Sequence, residues 1–211
     1  MMFSLNEIEA HAKKAARGGG YAWGIAEETG KAVRWLASHG LPGAEVLAEH
    51  LELQGHDGPP QTLNGDWSSA TGILCPLTAG VTLNDCADRL TSSHVQKMEN
   101  VAHPLLVVPF VAWAALHVKA SLTVAWGSVR ATTNGYALHV DASEGDLSAS
   151  KTAVLQCFVA QNDPSLTKPA LRAKVSQDAW DKLNRFAQRT YAPATEASRL
   201  LGAGAGASDN D

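Results

Sequence analysis

Apolar positions in the first third of the chain recur at helical spacing. Leu5, Ile8, Ala12, Ala15 and Ala16 fall on one face, and Ser4 with Glu7 forms the Ser-x-x-Glu pattern of a capping box. The run Gly18-Gly19-Gly20 ends that helix. A second helix carries Ile25, Ala32, Val33 and Leu36, with Gly40 past its end. Pro42 suits the first turn of a third, which holds Leu47, Ala48 and Leu51. Residues 54–74 are rich in Gly, Pro, Asn and Asp and read as a long loop or linker. A further helix is expected within 82–98, with Leu83, Ala87 and Leu90 on one side.

Beyond Ala102 the expected pattern is strands. The apolar run 104–118, interrupted by Pro109, is shorter than the roughly 20 residues of a membrane span and reads as buried core. Leu122, Val124 and Trp126 alternate with Thr123 and Ala125, and Gly127 marks a bulge or a close backbone approach. Asn134-Gly135, ahead of Tyr136, Leu138 and Val140, is the signal of a hairpin with a tight primed turn. Residues 152–159 and 171–175 read as further strands. Ser176 then caps a helix bearing Trp180, Leu183, Ala187 and Tyr191, and Pro193 opens a last short helix ending at Gly202. The expected fold is α+β: a largely antiparallel sheet with helices clustered at the N- and C-terminal ends. It is expected as one domain over 1–211, with a helical subregion (1–57), a loop-rich connector (58–102) and the sheet with C-terminal helices (103–211).

Composition narrows the function. With 211 residues, 45% hydrophobic and 18% charged, the chain suits a folded, enzyme-like domain. Its net charge of −4 comes with no strongly basic stretch, which argues against nucleic acid as a main partner. No signal peptide or membrane span is read, so no membrane partner is expected. Cys75, Cys86 and Cys157 make an odd set without metal-ligand spacing, which fits thiols in a reducing, cytoplasmic compartment.

Candidate chemistry falls in three segments. In the first, Arg17, Gly18, Gly19, Gly20 and Trp23 precede a helix with Glu27 and Glu28. Backbone N–H groups at a helix start, with Arg17, suit a carboxylate or phosphate; a helix-to-helix joint accounts for the same residues. The second, 193–211, holds Thr195, Glu196, Ser198, Arg199 and Asp209 among alternating glycines, and equally fits a helix end with an acidic tail. The third places Cys75 in a Pro/Gly-containing loop, a nucleophile if a base activates it. His103, in Ala102-His103-Pro104, is the preferred base; the alternative is a buried thiol and a core histidine. His50, His56, Asp57, His94, His117 and His139 are scattered, and Asp141, Glu144 and Asp146 fit a polar loop as well as a cation. No metal site and no cofactor is expected. Trp23 and Trp67 suit pocket walls.

Several of these segments resemble a bacterial family of unknown function. They are Ser4-Leu5-Asn6-Glu7-Ile8, Lys14-Ala15-Ala16-Arg17-Gly18, Trp23-Gly24 with Ala26-Glu27-Glu28, Cys75-Pro76, Ala102-His103-Pro104 and residues 193–211. The resemblance implies that the glycine-rich C-terminus belongs to the domain, and it carries no mechanism. The residues themselves lead to two expectations. One is a small-molecule enzyme, a hydrolase or lyase of a small polar, carboxylated metabolite. There Cys75, His103, Glu28 and Glu196 are catalytic, and Arg17, Gly19, Trp23, Ser198, Arg199 and Asp209 bind the substrate. The other is a non-catalytic accessory subunit or ligand-binding module that docks on a partner subunit or a second copy of the chain.

Overall fold

A computed structural model describes residues 1–53, 60–90, 94–142, 147–165 and 169–191. Strand β1 (Met2–Ser4) leads into helix α1 (Leu5–Gly18). Ser4 Oγ accepts from the Glu7 amide, and the Glu7 carboxylate accepts from the Ser4 amide at 2.7 Å, so the capping box is complete. Helices α2 (Trp23–Ser38) and α3 (Gly43–Glu52) follow, with Pro42 at the N-cap of α3. Helix α4 (Pro76–Asp85), a short 3-10 turn (Ala87–Arg89) and strand β2 (Val95–Ala102) come next. A second 3-10 turn (Pro104–Val107) runs into helix α5 (Val108–Val118), so the apolar run is indeed core, but helical. Strands β3 (Leu122–Trp126), β4 (Val129–Thr133), β5 (Leu138–Asp141), β6 (Lys151–Val159) and β7 (Arg172–Lys174) lead to helix α6 (Gln177–Gln188).

Among the described residues the strands form two antiparallel sheets. β1 pairs with β7, and a five-stranded sheet has the order β2-β6-β3-β4-β5. Helices from both ends of the chain flank them, as the α+β reading expects. Val124, Trp126, Val129, Ala131, Leu155 and Cys157 line the buried face of the larger sheet, against which α5 packs. The outer edge of β2 is covered by the segment before α4, which makes parallel bridges Trp67↔Met98 and Leu74↔Val101.

Four local readings need correction. Residues 82–98 are not one helix: α4 starts earlier, at Pro76, whose ring pre-sets φ for a first turn, and 95–98 are strand. Of the side chains read at period 3.6, Leu83 lies in α4, Ala87 in the 3-10 turn and Leu90 just past that turn. Gly127 is neither bulge nor close approach. It takes φ 51° in the two-residue turn between Trp126 and Val129, a hairpin the alternation alone did not separate. Asn134-Gly135 does lie in a hairpin loop, but the paired residues are Thr133 and Leu138, so the loop has four residues. Asn134 Oδ1 accepts from the Tyr136 and Ala137 amides, and only Gly135 has positive φ, at 95°. Finally β1 is a strand the sequence reading did not contain; its partner lies some 170 residues away.

Candidate functional site

Four buried polar side chains meet where the helical layer touches β2. Tyr21 is delivered by the turn after α1, and the three glycines explain that turn. A Cβ on Gly18 would lie 1.8 Å from the Phe186 carbonyl oxygen of α6, and one on Gly19 would meet Leu51 at 2.7 Å. Gly20 takes φ 106°. The amides of Gly19, Gly20 and Tyr21 donate to Ala15, Arg17 and Ala16 carbonyls, so these donors close the helix end and do not form an anion cradle. Arg17 Nη1 donates to the Tyr21 carbonyl at 3.0 Å and its guanidinium lies 5.2 Å from the centre of the exposed Trp23 ring.

His50 comes from the last turn of α3, and Cys75 is the N-cap of α4. Tyr21 Oη lies 2.7 Å from His50 Nε2 and 3.2 Å from Cys75 Sγ, with Sγ to Nε2 at 3.9 Å. Tyr21, His50, Cys75 and His103 are 6%, 3%, 2% and 1% exposed, so protein surrounds the whole cluster. With the His50 proton on Nδ1, the hydroxyl donates to Nε2 and accepts from the thiol, an S–H···O–H···N chain.

His103 follows β2 and precedes Pro104. The bridge Leu74↔Val101 brings the two chain segments together, and the His103 ring meets the His50 ring edge-on, with centroids 5.6 Å apart. The expected Cys75–His103 pairing is replaced: Cys75 bonds to Tyr21 and His50, while neither His103 ring nitrogen has a hydrogen-bond partner among the described residues. Burial pushes the His103 imidazole below its ordinary range and holds it neutral. Its backbone is left-handed, φ 39° and ψ 64°, which is costly for a non-glycine residue and more so before proline.

The remaining candidates lie elsewhere. Glu28 is on α2 and pairs with Lys31 at 2.9 Å. Trp67 is 1% exposed and helps cover the β2 edge, so it is core and not a pocket wall. Thr195, Glu196, Ser198, Arg199 and Asp209, with His56, Asp57, Glu144 and Asp146, lie outside the described residues. Among the described residues no group of three or more His, Cys, Asp or Glu is placed to hold a metal ion, and no helix is long and apolar enough to cross a membrane. A separate open cleft of about 830 Å³ runs over the outer face of the sheet, lined by His94, Thr123, Arg130 and His139 among others. It holds none of the expected catalytic or binding residues.

Sequence reasoning missed Tyr21 and His50 as site residues. His50 was legible only as one of several scattered histidines. Its available signal was position: a histidine on the apolar face of α3, beside Leu47 and Leu51, is a polar group in a buried stripe and needs a partner.

Fold and site together define an α+β protein with a buried thiol–phenol–imidazole chain and an adjoining neutral histidine. Residues 3–98 match the model of a family described as "Protein of unknown function (DUF3726)". That stretch contains Tyr21, His50 and Cys75, while His103 and residues 193–211 lie beyond it. No curated protein and no solved structure matches the chain.

Proposed function

We propose that this protein is a thiol-dependent enzyme of small-molecule metabolism, of hydrolase or lyase type, with Cys75 as its reactive group. The observation that supports this most is the placement of Tyr21 Oη within hydrogen-bond reach of both Cys75 Sγ and His50 Nε2. Passing the thiol proton to the phenol oxygen, as the phenol proton moves to Nε2, leaves a thiolate and an imidazolium with the tyrosine unchanged. The thiolate is the nucleophilic form of cysteine. Burial pushes the Cys157 thiol up to about 12, so that cysteine stays inert. We place the protein in the cytoplasm, where the three cysteines remain thiols.

Site-resolved alkylation tests this reading. Native protein is treated with iodoacetamide and the cysteine-containing peptides are followed by mass spectrometry. Cys75 is expected to react faster than Cys157, and Tyr21→Phe and His50→Gln each to slow it by about a hundredfold, the lower range for losing a proton-transfer partner. Equal rates in the wild type and both variants would remove the relay. A second reading, a non-catalytic ligand-binding module, draws on the burial of Cys75 at 2% exposure. It expects Cys75 to stay unlabelled in the native protein while native mass spectrometry shows a bound small molecule or partner.

A further inference from the structure

His103 combines three features that seldom coincide. It is 1% exposed, neither ring nitrogen has a partner among the described residues, and its backbone holds a left-handed conformation ahead of a proline. A buried polar group without a partner is destabilising, and backbone strain adds a comparable penalty. Nearly all buried polar atoms in folded proteins are satisfied. Two coincident penalties on one side chain, whose ring meets that of His50, the histidine within 3.9 Å of the Cys75 sulfur, mark a position whose partner arrives with a ligand.

The chemistry of the surroundings narrows that ligand. A neutral imidazole offers one N–H donor and one nitrogen acceptor. The cation at the Tyr21 turn is Arg17, which makes no ion pair among the described residues; its guanidinium donates to the Tyr21 carbonyl and lies 5.2 Å from the centre of the exposed Trp23 ring. One donor and one cation balance a monoanion; a dianion in so buried a place would keep uncompensated charge. We propose that the Cys75 site takes a small carboxylate-bearing molecule and that His103 donates a hydrogen bond to its carboxylate, a recognition role separate from the Tyr21–His50 relay. This rests on the reading of Cys75 as the reactive thiol.

Two reagents that differ only in charge test it. Iodoacetate and iodoacetamide both alkylate a thiolate: the carbon–sulfur bond forms, the carbon–iodine bond breaks and iodide leaves. Iodoacetate carries a carboxylate where iodoacetamide carries a neutral amide. The iodoacetate-to-iodoacetamide rate ratio at Cys75 is measured in the native protein and divided by the same ratio in the urea-unfolded chain. Taken on one protein at a time, this ratio cancels differences in thiolate population. It is expected to be raised by about tenfold, the size of one charge-assisted hydrogen bond. His103→Gly, which accepts the positive φ, and His103→Asn, which tolerates it and keeps more volume, should each return the ratio towards one.

A wild-type ratio near one, with brisk iodoacetamide labelling, overturns the carboxylate proposal and leaves the thiol reading standing. A raised ratio that survives both His103 variants and disappears in Arg17→Gln overturns the role of His103. Failure of Cys75 to react with either reagent removes the thiol reading itself, and the proposal with it.

Discussion

His103 shows how one residue can set a response of the folded state. Its imidazole is held neutral by burial, so its folded-state proton affinity is lower than in the unfolded chain. His11 shifts the same way: burial, the larger effect, lowers it against the Trp180 carbonyl that raises it. A group depressed on folding contributes stability that is fully present above its unfolded pKa, about 6.5 for histidine, and lost as pH falls through the folded value. The urea midpoint is therefore expected to fall between pH 7 and pH 5, and to fall less in His103→Asn. An unchanged pH dependence in that variant would mean that the buried imidazole protonates freely. Glycines offer a sharper contrast. Gly18→Ala would set a Cβ 1.8 Å from a carbonyl oxygen of α6, while Gly24→Ala meets nothing within 4 Å. The first is expected to cost about 3 kcal/mol or more in chemical denaturation. The second is expected to stabilise by about 0.5 kcal/mol, since Gly24 lies in α2.

At the scale of elements, caps define where helices start. Ser4 and Ser176 each accept an amide hydrogen from the first turn of the helix that follows. Ser4→Ala and Ser176→Ala are each expected to lower stability by about 1 kcal/mol, with the loss in thermal unfolding additive because the two caps share no partner. These caps were readable in sequence because their chemistry spans only four residues. The same locality explains the helices bearing Leu36 and Leu47, and the strand carrying Val124. It fails where identity depends on distant contacts. Val95 and Met98 became strand because β6 pairs with them, and Gly127 became a turn because Val129 returns to face Trp126. The site divides along the same line. Cys75 and His103 stood out beside their prolines, whereas Tyr21 and His50 acquire chemistry only when a helix turn and another helix approach the same sulfur.

For the molecule as a whole, the covering of β2 has a measurable signature. Trp67 and Leu74 exchange backbone hydrogen bonds with the outer edge of this strand, including Glu99 N–H to Trp67 O at 2.8 Å and Ala102 N–H to Leu74 O at 3.0 Å. Although β2 is last in the ladder, its Glu99 and Ala102 amides are expected to exchange hydrogen as slowly as those of the internal strand β3. Rapid exchange at both would show that the covering segment opens independently of the sheet. No pattern of apolar residues could have announced this arrangement, because sheet order is a property of pairings between distant segments.

The pairing of β1 with β7 has a temporal meaning too. Met2 faces Lys174, and the Met1 ammonium donates to the Val175 carbonyl. During synthesis, residues 2–4 are made some 170 residues ahead of 172–174, and their sheet cannot close until that partner has been synthesised. The strand β6, which lies between β2 and β3, imposes the same wait on the larger sheet until residue 159 is out. Helices α1 and α2 close over short sequence distances and can associate early, but the two sheets are postponed until residues 159 and 174 have been made. Until then the waiting strands stay exposed, and that interval is when the nascent chain is most vulnerable to pairing with a neighbour.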